Sequence, residues 1–218
     1  MLRTKYHSAR REYIEAIVVA LIIAMILRTF VVQAYHIPTE SMENTLLAGD
    51  YLLVDKLTYH YREPEPGDIL VFQYPLNPNK DYVKRCVAIE GQVVEMRDKV
   101  LYVDGKVETA IPSVIYSDPI IQPASLSNRD NFAPIRVPPG QVFVLGDNRD
   151  NSRDSRVWGF LDKDLIKGRG LGIYWSWAPD PNAPKWESPY IFPMFSIVFY
   201  NLTHFNTRIR WDRLGKTL

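Results

Sequence analysis

Residues 67–89 read GDILVFQYPLNPNKDYVKRCVAI, and this stretch decides the fold class. Two apolar runs within it, residues 69–74 and 82–89, have the length and the β-branched and aromatic content of strands. The chain also contains 16 prolines and 13 tyrosines, a composition that favours short strands and turns over a helical bundle. The sequence therefore predicts a mostly β domain.

Other segments extend this prediction along the chain. Residues 93–108 resemble two strands around an Asp104-Gly105 hairpin turn. Residues 111–139 are rich in proline, serine and asparagine and show little periodicity, which indicates an irregular insertion or flap. Further predicted strands lie at residues 51–57, 141–146 and 168–177. We expect a β domain whose core strands are interrupted by a small β insertion.

An apolar segment near the N-terminus has the length of a membrane span. In residues 13–32 only Glu15 and Arg28 are charged, and a spanning helix needs about 20 mostly apolar residues. The basic residues before it place the N-terminus in the cytoplasm and the rest of the chain outside; they are Arg3, Lys5, Arg10 and Arg11. A cleavable secretory signal ending near Ala34 and a buried core helix are the alternatives.

Composition excludes several classes of function. With 26 basic and 25 acidic residues among 218, the chain lacks the basic excess typical of nucleic-acid-binding proteins. Cys86 is the single cysteine, so neither an intrachain disulfide nor a cysteine-based zinc site is possible. Residues 147–158 are rich in aspartate, but Arg149 and Ser152 occupy positions that an EF-hand loop reserves for a ligand and a glycine. No metal and no cofactor is expected.

A serine and a lysine are the candidates for chemistry, because no histidine lies in a pattern typical of serine hydrolases. A free lysine has a pKa of about 10.4 and cannot accept a proton at neutral pH. Burial can lower that pKa by several units. Lys84 lies within an apolar strand, although a lysine on an edge strand could also face solvent. Ser41 follows the apolar N-terminal segment, where it could instead cap a helix.

A third polar segment, residues 146–159, reads GDNRDNSRDSRVWG. Its mixed aspartates and arginines indicate an internally paired turn that supports neighbouring structure. A solvated loop is the alternative.

Together, these three segments resemble the bacterial type I signal peptidases, the leader peptidase family. The family's nucleophile motif is matched at Pro38, Ser41, Met42, Thr45 and Leu46, whereas Thr39 and Asn44 replace a serine and a proline of that motif. Residues 67–72, 82–85 and 146–159 match the family's other motifs in order. The resemblance implies a signal-peptidase/LexA-like antiparallel β fold with a small β insertion, behind one N-terminal transmembrane helix.

The resemblance also implies a role for each matched residue. Ser41 would be the nucleophile and Lys84 its general base, with the Ser41 N–H and the Thr39 hydroxyl as the oxyanion hole. Ser152 would orient Lys84, and ion pairs would support the site through Asp147, Arg149, Asp154 and Arg156. Shallow pockets for small substrate side chains at positions −1 and −3 would be lined by Tyr35, Ile37, Met42, Leu46, Tyr82 and Val83.

The implied organisation is a cytoplasmic segment (1–12), a transmembrane anchor (13–34), a catalytic β domain (35–94 and 138–218) and an inserted hairpin subdomain (95–137). The implied substrates are exported preproteins bearing signal peptides. Membrane lipid and, transiently, the export translocon would be further partners of this single-pass protein of the bacterial cytoplasmic membrane, whose catalytic domain would face outward. Several aromatic residues would lie either at the membrane interface or in the core: Trp175, Trp177, Trp186, Tyr190, Phe192 and Phe195.

Two other functions stay open from the sequence. A self-cleaving Ser/Lys protease of the LexA kind would share the fold, but the N-terminal anchor and the lack of a DNA-binding helix-turn-helix argue against it. A non-catalytic, membrane-tethered binding module is the second alternative.

Overall fold

The computed structural model describes residues 9–184 and 191–218. Its strands are β1 Val32–His36, β2 Asp50–Asp55, β3 Ile69–Gln73, β4 Asp81–Ile89, β5 Val93–Arg97, β6 Val100–Val103, β7 Lys106–Val107, β8 Phe132–Arg136, β9 Gln141–Leu145, β10 Leu161–Asp162 and β11 Ile166–Ser176. Its α-helices are α1 Ala9–Ile26, α2 Thr58–Tyr61, α3 Ser155–Trp158, α4 Ile191–Thr203 and α5 Phe205–Arg208.

The larger sheet has seven strands in the order β1-β2-β11-β3-β4-β9-β10, and all neighbours are antiparallel. Along β2, side chains alternate between buried and half-buried, as expected for a strand with one face on the core. In β3 four of the five residues are buried, which matches its central position. The predicted mostly β, antiparallel fold is confirmed.

The N-terminal helix is long and apolar enough to cross a membrane over Arg10–Val31. Its last five residues, Leu27–Val31, form a π-helical turn. The helix ends at Val31 rather than at residue 34, because Val32–His36 pair with β2 instead. Its apolar side chains pack against nothing in the described protein, so a buried core helix is excluded and a single membrane span fits.

The smaller sheet has four strands in the order β7-β6-β5-β8. Asp104 and Gly105 adopt left-handed backbone angles between β6 and β7, so the predicted hairpin turn is confirmed. The prediction of an irregular segment at residues 111–139 was wrong for its last part, which forms β8. This strand exists because Phe132 pairs with Met96 and Arg136 with Val93, contacts that local periodicity does not reveal.

The segment around Ser41, the predicted nucleophile, is anchored in the hydrophobic core. Ile37, Met42 and Leu46 are at most 5% exposed and pack with residues of β2, β3 and β11. Burying three such side chains contributes roughly 1.5–3 kcal/mol each. The segment that carries Ser41 is therefore fixed by the core itself.

After α5, residues 209–218 return to the larger sheet. Ile209 bridges to Trp177 and Thr217 to Gly172. Trp175 and Trp177 contact Phe205 rather than lying free, whereas Phe195 on α4 is 66% exposed. Of the other aromatic residues predicted for the interface, Trp186, Tyr190 and the Phe192 side chain lie outside the described residues.

A buried ion pair holds this returning segment in place. Arg213 donates to both carboxylate oxygens of Asp50, with a shortest distance of 2.6 Å, and to the carbonyl of Thr45 at 2.9 Å. Burial opposes ionisation of Asp50, but hydrogen bonds from Arg213, the Leu47 N–H and Ser176 keep its pKa below the ordinary value. The pair thus ties residues 209–218 to the loop that follows the nucleophile.

Replacing Arg213 by methionine should lower the free energy of unfolding by about 3–5 kcal/mol, because it leaves the Asp50 carboxylate buried without its main partner. Chemical denaturation of the full chain in detergent, followed by circular dichroism, measures this loss. The exposed Arg136→Met variant is the control and should change stability by less than about 0.5 kcal/mol. Equal effects in the two variants would contradict the assigned role of the buried pair.

Candidate active site

Ser41 lies on a turn between β1 and β2. The turn closes through hydrogen bonds from the Glu43 N–H to the Glu40 carbonyl and from the Leu46 N–H to the Met42 carbonyl, at 3.0 and 2.7 Å. Met42 and Leu46 are buried, so the half-buried Ser41 side chain projects from a loop that the core immobilises.

Asn44 explains one departure from the family motif. Its φ is 77°, a left-handed conformation that asparagine tolerates and that proline, fixed near about −65°, cannot adopt. The Asn44 side chain donates to the Ser113 carbonyl at 3.1 Å. A side-chain hydrogen bond here takes the place of the rigidity that a proline ring would give.

Lys84 reaches Ser41 from the middle of the larger sheet. Its Nζ lies 2.6 Å from Ser41 Oγ and donates to the Val83 carbonyl at 2.9 Å. The residue is 3% exposed, and β4 pairs it with Leu70 of β3. The two residues that the sequence singled out are thus brought into hydrogen-bond contact inside the protein.

The protonation of Lys84 follows from its surroundings. Burial is the main cause that lowers the pKa of its ammonium, to about 8. The carboxylates of Asp154 and Asp147 oppose this effect, and the Arg156 guanidinium adds to it. A substantial fraction of the amine is therefore neutral near pH 7–8, where a free lysine is almost fully charged.

The predicted oxyanion donors lie beside this pair. Thr39 Oγ1 is 3.4 Å from Ser41 Oγ. No described residue accepts a hydrogen bond from the Ser41 backbone N–H. The Thr39 hydroxyl thus shares a long hydrogen bond with Ser41 Oγ, and the Ser41 N–H has no acceptor among the described residues.

One buried ion pair joins all three motif segments. Arg85 donates to both oxygens of Asp147, at 2.8 and 2.6 Å, and Thr45 donates to the same carboxylate at 2.5 Å. Ser113 also donates to it, at 3.1 Å. Strand β4, the turn that carries Ser41 and Thr45, and the loop after β9 are therefore fixed to one another by a bidentate, charge-assisted contact.

A second buried ion pair shapes the loop after β9. Arg156 donates to Asp154 Oδ1 and Oδ2 at 2.8 and 2.7 Å, and the Gly146 N–H donates to Asp154 at 3.0 Å. Burial favours the neutral acid, yet the Arg156 charge and these hydrogen bonds hold the pKa of Asp154 below its ordinary value. The loop so held contacts the nucleophile directly, since the Asn148 N–H donates to the Ser41 carbonyl at 3.2 Å.

Gly146 permits this close approach. A Cβ at this position would lie 2.4 Å from the Ser41 carbonyl oxygen and 2.3 Å from Ser152 Oγ, well inside any real contact distance. Glycine is thus required where the loop after β9 passes the backbone of the nucleophile.

Two of the predicted support residues differ from expectation. Among residues 9–184 and 191–218, Lys84 Nζ contacts Ser41 and the Val83 carbonyl but not Ser152, whose buried hydroxyl instead lies near enough to Asp154 to help lower the pKa of that carboxyl group. Arg149 is 2% exposed and has no ion pair with a described residue, although its backbone carbonyl accepts from Arg156 at 2.6 Å. Asp147, Asp154 and Arg156 form ion pairs as expected.

A cleft of about 580 Å³ opens beside the pair. Of the predicted pocket residues, Leu46 is fully buried in the core and does not line it. The others do: Tyr35, Ile37, Met42, Tyr82 and Val83. The rim is polar and includes Glu40, Asp81, Asn151 and Arg153.

Three residues important for this arrangement were not identified from the sequence. Arg85 was noted only as a motif match, and neither Ser113 nor Arg213 gave a signal. The charge of Arg85 directly before the apolar run 86–89 is the feature that points to a buried partner.

Comparison with known proteins identifies the family. Residues 10–175 match the family model described as signal peptidase, peptidase S26. A probable signal peptidase I-1 of Synechocystis sp. is 40% identical over 168 residues, which cover 74% of this chain and 80% of that protein. Signal peptidase I of Aquifex aeolicus is 33% identical over 230 residues, which cover 83% and 90%.

A solved structure of a signal peptidase I from Enterococcus faecalis V583 is 28% identical, covers 50% of this chain and 97% of its own, and superposes with a TM-score of 0.40. The family model and the curated relatives each extend over most of the present chain. The protein belongs to the signal peptidase family, peptidase S26.

Proposed function

We propose that this member of the family removes signal peptides from exported preproteins by Ser/Lys dyad catalysis. The observation that supports the dyad is the 2.6 Å contact between Lys84 Nζ and Ser41 Oγ, made by an amine that is almost completely buried. A neutral amine at this distance is within reach of the hydroxyl proton.

Acylation begins when the Ser41 O–H proton moves to Lys84 Nζ while Oγ bonds to the scissile carbonyl carbon. The carbonyl oxygen becomes an oxyanion, which accepts hydrogen bonds from the Ser41 N–H and the Thr39 hydroxyl. As the C–N bond breaks, Lys84 returns the proton to the leaving amine. A water molecule, deprotonated by Lys84, then hydrolyses the acyl-enzyme and regenerates the Ser41 hydroxyl.

The substrate backbone has two free sheet edges beside the dyad. β1 pairs with β2 on one side only, and β4 pairs with β9 only from Arg85 onward, so residues 81–84 are open on that side. An extended peptide in the cleft can pair with one or both edges. Such main-chain pairing would place the substrate backbone beside Ser41 independently of the substrate's side chains.

Side-chain selection follows from the walls of the cleft. Tyr35, Ile37, Met42 and Val83 line the cleft, and we propose that they form shallow apolar pockets for small residues at substrate positions −1 and −3. A larger side chain would clash with core residues that cannot move, since Ile37 and Met42 are buried and overpacking costs about 1–3 kcal/mol.

The same proposal includes location and domain boundaries. Basic residues before Arg10–Val31 favour a cytoplasmic N-terminus and a catalytic domain (35–94 and 138–218, with 95–137 inserted) on the outer face of the cytoplasmic membrane. Ser41 lies ten residues after the end of the helix at Val31. That proximity suits preproteins that arrive through the export translocon, with their own signal peptides in the bilayer.

Ser41→Ala and Lys84→Met should each reduce preprotein cleavage by about four to six orders of magnitude, because the two side chains act as one unit. The full chain in detergent is incubated with a preprotein that has alanine at −1 and −3, and the new N-terminus is identified by mass spectrometry. Lys106→Met, an exposed lysine on β7, is the matched control. Wild-type cleavage by the Lys84 variant would exclude the dyad.

The pH dependence should report the Lys84 amine. Only its neutral form accepts the serine proton, so kcat/KM should rise about tenfold per pH unit on the acid side and level off above the pKa of about 8. Initial rates between about pH 6 and 10 measure this profile, with circular dichroism to verify folding at each pH. A flat profile across this range contradicts lysine as the base.

Gly146→Ala should lower kcat by about 100-fold, because its Cβ would displace the Ser41 backbone and a 1 Å misplacement can cost that much. The control is Gly170→Ala, whose nearest neighbours would be side-chain rather than backbone atoms, those of Ile69 at 3.2 and 3.4 Å and Leu52 at 3.4 Å. Single-turnover cleavage and circular dichroism separate a catalytic defect from unfolding. A fully active Gly146 variant would show that the loop tolerates displacement.

A further inference from the structure

Arg149 is a buried charge without an ion pair among residues 9–184 and 191–218. Its residue is 2% exposed, its Nε has no hydrogen-bond partner, and its guanidinium forms no ion pair with the described residues. The Asp147 and Asp154 carboxylates favour its charged form, but each is itself bound by another arginine. Leaving a charge without its own ion pair in such surroundings costs several kcal/mol. Burial accordingly lowers the pKa of Arg149, although an arginine stays charged at any physiological pH. A guanidinium in this state favours any anion that can reach it.

Arg149 lines a cavity of about 350 Å³ that is separate from the catalytic cleft. Its apolar walls come from β6 and from residues 111–116: Val100, Leu101, Ile111, Val114 and Tyr116. The other lining residues are Asp98, Lys99 and Glu108. The cavity thus combines two buried cations, Arg149 and Lys99, with a wall that is about equally polar and apolar.

Three other polar groups that line the cavity already have partners, whereas the exposed Asp98 carboxylate contacts no described residue. Lys99 Nζ donates to Asp150 at 2.7 Å, and the Tyr116 hydroxyl donates to the Lys99 carbonyl at 2.5 Å. Glu108 accepts from the Ala110 N–H at 2.5 Å. Of the two cations that line the cavity, Lys99 is therefore paired with a carboxylate, and Arg149 is not paired with any described residue.

These features define the chemistry of an occupant. A planar guanidinium binds a carboxylate in a bidentate manner. The apolar part of the wall favours a ligand whose carboxylate is attached to a short hydrocarbon chain. Asp98 and Glu108 also line the cavity. Their carboxylates would repel a doubly charged phosphate more strongly than a monoanion. The volume is near the lower end of the range for ligand sites, about 300–1,000 Å³.

We propose that this cavity is a second binding site, which takes a small aliphatic monocarboxylate, either as a free acid or as the side chain of an acidic peptide residue. The site adjoins the catalytic loop, because Ile115 receives a hydrogen bond from the Arg149 N–H at 3.0 Å and donates to the Asp147 carbonyl at 2.9 Å. Binding would order the segment that also holds Asn44 through Ser113. The proposal does not depend on the proposed peptidase mechanism.

Calorimetric titration of the full chain in detergent tests the proposal. Hexanoate should bind at least about tenfold more tightly than hexanamide, because only hexanoate carries a negative charge that can pair with the Arg149 guanidinium. N-acetylglutamate methylamide and its glutamine counterpart form the second pair and distinguish a peptide side chain from a free acid. Equal binding of acid and amide in both pairs, or no binding of either acid, overturns the proposal.

Two variants connect the binding to the cavity. Arg149→Met should abolish hexanoate binding and, since it removes an unpaired buried charge, should not lower the melting temperature of the unliganded protein. Val114→Trp keeps the charge but fills the cavity and should also abolish binding. The exposed Arg97→Met variant is the control and should bind hexanoate as the wild type does. Hexanoate binding that survives both cavity variants overturns the assignment, as does a marked destabilisation by Arg149→Met, which would reveal an internal partner.

Discussion

Exclusion of water from one amine is the constraint on which the rest of the structure depends. Lys84 is nearly fully buried, and this burial, rather than a neighbouring cation, is the main reason for its lowered pKa. Two features keep the amine away from water and close to the Ser41 hydroxyl. The sheet pairs Lys84 with Leu70 on β3, and the core anchors Met42 beside Ser41. Fold and chemistry are thus two consequences of one packing arrangement.

The lowered pKa of Lys84 also requires that the charges of nearby carboxylates be neutralised. Asp147 and Asp154 would favour the ammonium if they were unpaired, but each is bound by an arginine, Arg85 or Arg156. Both pairs also have a structural task, since Asp147 links the lysine strand to the nucleophile loop and Asp154 holds Gly146. The same two contacts therefore set the electrostatics and the geometry of the site.

Local patterns were sufficient to predict the main strands, the Asp104-Gly105 turn and the apolar N-terminal helix. Predicting that Ser41 and Lys84 lie together required more, because neither residue stands out alone and only the resemblance connected them. Contacts between distant segments were missed for a physical reason: Arg85 and Asp147 are 62 residues apart, and β8 forms only through pairing with β5. Such pairings depend on tertiary structure, which a sequence window does not contain.

The contact between Arg213 and Asp50 has a consequence for biosynthesis. The two residues are 163 positions apart, so a ribosome translates the nucleophile loop long before it makes the arginine that completes it. A nascent chain inserted by its first helix therefore carries the Asp50 carboxylate without its main partner until residue 213 has left the exit tunnel. Maturation of the loop is accordingly a late event in synthesis, which delays completion of the site until most of the polypeptide is available to fold around it.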